Sequence, residues 1–219
     1  MEPTARPQIV AIAGGSGSGK TTLARAVKKV LGDSCSLLEH DAYYRCLGHL
    51  PPAQRAAANF DHPDSLENEL LVLQLEQLRR GQPVAVPRYD FASHSRLPEG
   101  LAVEPRPIVL VEGILLLALP QLQRVFDLRV FVDAPPELRF KRRSDRDVRV
   151  RGRTPESVRA QWTATVQPMH ERFVEPSRAN CDLLLSGRDD VQQSARRVVA
   201  CLQAQQRWPG LAVGERTMS

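Results

Sequence analysis

Aromatic residues are scarce in this chain: Phe, Trp and Tyr fill 5% of 219 positions. Its core must therefore be mostly Leu and Val, and few rings are left over as platforms on which nucleic-acid bases could stack. Cysteine is nearly as rare. The four cysteines stand at 35, 46, 181 and 201, with no C-x-x-C spacing and no His/Cys cluster of the zinc-binding kind. Reduced thiols in a cytoplasmic protein are the expectation. No apolar run approaches the ~20 residues of a membrane span. The opening Met-Glu-Pro-Thr-Ala-Arg-Pro leads into an apolar run only a strand long, too short for a signal peptide's h-region. Repeats and low-complexity tracts are missing too. Basic excess is confined to one place. Arg139–Arg153 carries eight basic and two acidic residues, while 22 basic and 23 acidic residues share the rest of the chain. One such stripe points to a focused anion site and away from a broad nucleic-acid surface. The length suits a single domain over 1–219, and 42% hydrophobic residues can fill its core.

What is present begins with Gly14-Gly15-Ser16-Gly17-Ser18-Gly19-Lys20-Thr21-Thr22. Its first eight residues match G-x-x-x-x-G-K-[ST]. Gln8–Ala13, before it, reads as a buried strand. Leu23–Leu31, after it, has apolar residues at helical spacing. Strand, glycine loop and helix form a phosphate cradle: backbone N–H groups turn inward on a polyphosphate, and the helix N-terminus adds its dipole. The motif assigns Lys20 to the β- and γ-phosphates and the Thr21 hydroxyl to Mg²⁺.

Further along, Cys35–Leu38 reads as a short strand ending near Asp41. Ligands in open α/β sheets bind beyond the carboxyl ends of strands. Asp41 could there take a proton during phosphoryl transfer, or simply cap a turn; position alone leaves both open. Asp64 with Glu67 reads as a helix start, the helix running to about Arg80, with Phe60, Asp61 and His62 in the loop before it. Val84–Val86 and Leu101–Val103 predict a β-hairpin flap at about 84–103 carrying Tyr89 and His94. Pro107–Gly113 reads as a buried parallel strand delivering the Glu112 carboxylate to the site edge. In phosphate-loop proteins an acid there serves Mg²⁺. Asp127–Val132 and Cys181–Leu185 read as further strands, and Val191–Arg207 as an amphipathic helix with a frayed tail over 208–219. Pro135-Pro136 opens an arginine-loaded helix broken at Gly152, with Thr154 and Pro155 starting another. Helix, turn and helix over about 135–165 resemble the lid of a small kinase, whose guanidinium forks suit phosphate oxygens. Trp162 and Phe173 read as packing.

Taken together these segments resemble the uridine kinase (uridine–cytidine kinase) family of phosphate-loop nucleoside kinases, over roughly Ile9 to Asp190. Beyond the glycine loop, the likeness rests on His-Asp-Ala-Tyr-Tyr-Arg at 40–45, Asn-Phe-Asp-His-Pro-Asp-Ser at 59–65 and Tyr-Asp-Phe-Ala-Ser-His-Ser-Arg at 89–96. Val-Glu-Gly-Ile-Leu at 111–115, Arg-Asp-Val-Arg-Val-Arg-Gly-Arg at 146–153 and the run at 166–177 complete it. The resemblance implies a doubly wound five-stranded parallel sheet of the P-loop NTPase fold, with a helical lid and a β-hairpin substrate flap. It implies transfer of the ATP γ-phosphoryl group to the 5′-hydroxyl of uridine or cytidine, with Mg²⁺. It makes Asp41 the general base and has Arg146 and Arg151 contact phosphates. Tyr44, Asp61 and Arg143 would meet the ribose, and Tyr89, His94 and Phe60 the base. Arg153 and Gln161 would complete the cleft, and Asp190 would lie by the adenine. A homo-oligomer, a tetramer in the family, is implied as well.

The competing expectations are another phosphate-loop kinase, such as phosphoribulokinase or pantothenate kinase, and a nucleotide-binding regulator without activity. Tyr89 and His94 favour a pyrimidine acceptor over the first. The presence of Lys20, Thr21, Asp41 and Glu112 speaks against the second. His40 departs from the family pattern, which has an uncharged residue such as Gln or Met before the base.

Overall fold

The computed structural model describes residues 6–91 and 93–204. Its strands, in chain order, are β1 (Gln8–Ala13), β2 (Cys35–Glu39), β3 (Val84–Val86), β4 (Tyr89–Asp90), β5 (Ser95–Arg96), β6 (Leu101–Val103), β7 (Ile108–Gly113), β8 (Leu128–Asp133) and β9 (Leu183–Ser186). Its helices are α1 (Lys20–Leu31), α2 (Pro52–Ala56), α3 (Asn68–Arg79), α4 (Pro120–Gln123), α5 (Pro136–Arg151), α6 (Pro155–Gln161), α7 (Gln167–Met169), α8 (Glu175–Ser177) and α9 (Val191–Ala204).

Five strands form one parallel sheet in the order β2-β7-β1-β8-β9. Because side chains alternate along a strand, each strand feeds two cores. Val10, Ile12, Ile108, Leu110, Leu128, Val130 and Val132 pack with α1 and α9 on one face. Ile9, Ala11, Ala13, Val109, Val111 and Phe131 pack with Leu71, Leu75 and Leu78 of α3 on the other. Covered faces on both sides explain why β1 and β7 are buried at every residue. The cores are dominated by Leu, Val and Ile, as the shortage of rings requires.

This topology brings the carboxyl ends of the strands to one edge. The glycine loop follows β1, the turn with Asp41 follows β2, and Glu112 stands near the end of β7. The flap is built from two short antiparallel ladders, β3 with β6 and β4 with β5.

Two local expectations need correction. Asp64 starts no long helix: a 3-10 turn at Pro63–Ser65 intervenes, and α3 begins at Asn68. Here His62 Nδ1 accepts the Asp64 N–H at 3.2 Å, so it is the histidine that caps the turn. The second lid helix does not stop near 165. It continues from α6 through π-helical turns at Trp162–Val166 and His170–Val174 into α8. Helix α9 is described to Ala204, and the tail expected over 208–219 lies outside the described residues. The lid's other boundaries match their signals. Gly152 closes α5 at φ 64°, and the Thr154 hydroxyl accepts the Ser157 N–H at 3.2 Å to cap α6.

Candidate active site

The loop between β1 and α1 is shaped by its glycines. Gly17 takes φ 79°, and a Cβ there would strike the backbone carbonyl of Arg139. Gly19, at φ 105°, is the N-cap of α1 and offers no side-chain cap; no acid lies in the first turn. The helix N-terminus therefore keeps its N–H groups and positive dipole end for an anion. Lys20 and Thr21 begin the helix. The Thr21 hydroxyl donates to Glu112 Oε1 at 2.8 Å, and Lys20 Nζ stands 3.9 Å from Glu112 Oε2.

A cleft runs from this loop to the flap. Ser16, Lys20, Thr21, Asp41, Tyr44, Phe60, Asp61, His94, Arg143, Arg146, Arg151, Arg153 and Gln161 line it, all anticipated from the sequence. Phe91 and Ile114 complete the lining and carried no expected role.

The lid helix α5 supplies the cleft's cations along an unusual ridge. Arg139, Arg143 and Asp147, spaced by four, are all buried. Arg143 donates to Ser16 Oγ at 2.8 Å and Gln161 Oε1 at 2.9 Å, joining the glycine loop to α6. Arg153 also donates to Gln161 Oε1. Asp147 is fully buried and pairs with Arg143 at 3.5 Å, Arg146 at 2.8 Å and Arg151 at 3.7 Å. No expectation attached to Asp147. The signal was its spacing, four residues after Arg143 and four before Arg151. Arg142 ties the helix to the loop by donating to Ser18 O at 3.2 Å and to Gly187 O at 3.0 Å.

Opposite the lid, burial pushes the Asp61 carboxyl up, with Arg143 opposing and Asp41 reinforcing. The site thus sets two carboxylates near one guanidinium. Phe60 stacks on His94 with ring centroids 4.7 Å apart, and Tyr44 meets Phe60 edge-on at 5.3 Å. His94 sits at φ 52°, unusual for a residue with a side chain, and its Nδ1 is buried with no hydrogen-bond partner. Burial, reinforced by Arg153, lowers its pKa and keeps the ring neutral.

Two of the expected site residues do not line this cleft. Tyr89 does not line the cleft. On β4 its ring turns toward the core, 5.4 Å from Tyr44 and 5.3 Å from Phe91, so Phe91 takes the cleft position. Asp190 is exposed, and its Oδ1 accepts the Gln193 N–H at 2.8 Å as a cap for α9. Gly14, Gly15, Gly17, Ser18, Gly19 and Thr22 do not line the cleft either; they form the adjoining loop and helix turn.

Glu112 stands behind Thr21 and also outside the cleft lining. Its Oε2 is buried without a hydrogen-bond partner, and burial pushes its pKa up while Lys20 and Thr21 oppose. A threonine hydroxyl and a carboxylate whose buried Oε2 has no hydrogen-bond partner fit Mg²⁺, which keeps several waters and takes few protein ligands. No cluster of three or more His, Cys, Asp or Glu suited to a metal occurs among the described residues.

A central parallel sheet, a glycine loop opening a helix and an arginine lid define a phosphate-loop kinase. The Phosphoribulokinase / Uridine kinase family model matches residues 9–193, and the chain belongs to that family. It is similar to the uridine kinase of Chloroflexus aurantiacus, 47% identical over 203 residues that cover 90% of this chain and 97% of that protein. It is also similar to the uridine kinase of Staphylococcus epidermidis, 44% identical over 178 residues, 81% of this chain and 86% of that one. Among solved structures, phosphoribulokinase from Rhodobacter spheroides shares the fold with TM-score 0.58 at 13% identity, covering 84% of this chain and 71% of that chain.

Proposed function

We propose that this chain is a uridine kinase that transfers the ATP γ-phosphoryl group to the 5′-hydroxyl of uridine or cytidine. The observation that carries the reading is one cleft lined both by Lys20 and Thr21 of the phosphate loop and by Phe60 and His94. Asp41, Asp61 and Arg143 lie along the same cleft. Kinship with uridine kinases over nearly the whole chain favours this acceptor over the ribulose phosphate handled by the family's other namesake.

Asp41 accepts the proton of the attacking hydroxyl, a role supported by its place in the lining of the same cleft as Lys20 and Thr21. Asp61 accepts from the ribose hydroxyls and Arg143 donates to them. Arg146 and Arg151 meet the charge that grows on the transferring group. Phe60 and Phe91 border the base, and neutral His94 offers its unpartnered Nδ1 to the base edge. Thr21 and Glu112 hold Mg²⁺, which when bound neutralises phosphate charge.

ADP release from Mg-ATP is to be measured with uridine, cytidine, adenosine, ribulose 5-phosphate and pantothenate as acceptors. Turnover is expected on uridine, cytidine or both. Turnover confined to one of the other three would overturn the acceptor assignment.

A further inference from the structure

The largest fully buried side chain among the described residues belongs to an arginine, Arg139, with 1% of its surface exposed. Its Nε donates to Ala134 O at 3.1 Å and its Nη2 to Gln167 Oε1 at 3.4 Å. The guanidinium carbon stands 5.2 Å from the centre of the Trp162 ring. Nη1 has no hydrogen-bond partner.

No carboxylate among the described residues forms an ion pair with it. The carboxylates that act on it, Glu175, Asp133, Glu137 and Glu171, do so from beyond ion-pair contact. Glu175 is committed to His170 and Arg178, and Asp133 to Arg178. A buried cation without an ion-pair partner strongly destabilises a fold.

The orphaned end of Arg139 lies against the glycine loop. A Cβ on Gly15 would stand 2.8 Å from Arg139 Nη1 and 2.9 Å from His170 Nδ1, itself buried and unpartnered. The Arg139 carbonyl abuts Gly17. Burial and the guanidinium together lower the His170 pKa to about 4, so the imidazole adds no competing charge. A fixed positive charge thus sits across the loop backbone from the phosphate cradle, in surroundings where water screens it little.

We propose that Arg139 is a hidden determinant of phosphate-donor binding, whose missing counter-charge is the polyphosphate held on the far side of the loop. It touches no phosphate and is a positioning residue, acting through the loop backbone and its own field. The proposal rests on the reading of the loop as an ATP site.

The test compares the parent protein with Arg139→Met and Arg139→Lys. Dissociation constants for Mg-ATP and for uridine are measured by calorimetry, and melting temperatures without ligand. Arg139→Met is expected to bind Mg-ATP about tenfold more weakly, to bind uridine as the parent does, and to melt no lower than the parent. Removing an unpaired buried charge is often neutral or stabilising. Arg139→Lys, which keeps the charge, is expected to hold Mg-ATP within about threefold of the parent. A Met variant that binds Mg-ATP like the parent overturns the proposal. So does one that loses both ligands equally while melting lower, or one that no longer folds; either result makes Arg139 a structural prop. A parent that binds no Mg-ATP removes the donor reading itself, and this proposal with it.

Discussion

At the scale of single residues, Asp41 is where the proposed chemistry is most exposed to test. Asp41→Asn removes the proton acceptor and little else. Turnover is expected to fall by about 10² to 10⁴, the usual contribution of a general base, with uridine affinity kept. Turnover within tenfold of the parent would take Asp41 out of that role. Its neighbour His40 is fully buried. Asn68 Nδ2 donates to Pro63 O at 3.1 Å and to Leu66 O at 3.4 Å, which leaves Asn68 Oδ1 facing His40 Nε2 at 3.0 Å. His40 must then be the donor, carrying its proton on Nε2. Burial lowers its pKa from 6.5 to about 4, against the pull of Asp41 and Asn68. His170 is lowered to about 4 as well. Above the ordinary value both rings are neutral whether folded or not. Below it the unfolded chain binds protons that the folded chain refuses, so stability falls from about pH 6.5 to about pH 4, by roughly 3 kcal/mol for His40 alone. Urea titrations through this window should show the midpoint dropping, and His40→Gln should flatten the slope. Most side chains of the cleft were legible because their types match the chemistry. Phe91 was missed because β4 ends at Asp90 and Phe91 lies in the turn beyond it, where strand alternation, which would put it on the same face as Tyr89, no longer applies.

Among elements, the lid holds the clearest surprise. Its arginines were legible from charge density and spacing, but Asp147 reads in sequence as one acid in a basic run. In the fold it joins Arg143, Arg146 and Arg151. Asp147→Asn is expected to lower stability by about 3 kcal/mol, because it leaves a buried guanidinium unpaired. Chemical denaturation measures this directly, and a loss under about 1 kcal/mol would mean solvent already shields the cluster. The π turns escaped sequence reading for another reason. The Gln167 N–H reaches back to Trp162 O and the Glu175 N–H to His170 O, five residues each, directly before Pro168 and Pro176. A proline lacks an N–H and crowds the carbonyl four residues back. Widening each preceding turn lets the rod run on where proline suggests a stop.

For the whole molecule, two cores on one sheet predict an uneven distribution of protection. Amides of β1, β7 and β8 should exchange with solvent only on global unfolding. Those of the flap's short ladders and of α2 should exchange through local opening at far lower cost. Native-state hydrogen exchange that found the flap as protected as β1 would contradict this picture. The sheet's existence was legible because apolar runs fed both faces. The order β2-β7-β1-β8-β9 was not, since neighbours in it are distant in sequence and are chosen by how the helices cross over.

Gly15 occupies a position where the phosphate-loop pattern admits any residue. The pattern is more permissive than the fold. Arg139 and His170 together occupy the volume a methyl group would need, and Gly15 has no left-handed backbone to explain its choice. Position 15 is therefore not free to drift on its own. A lineage that acquires alanine at 15 must first have yielded room at 139 or 170, and substitutions there should be accepted in one order and rejected in the other.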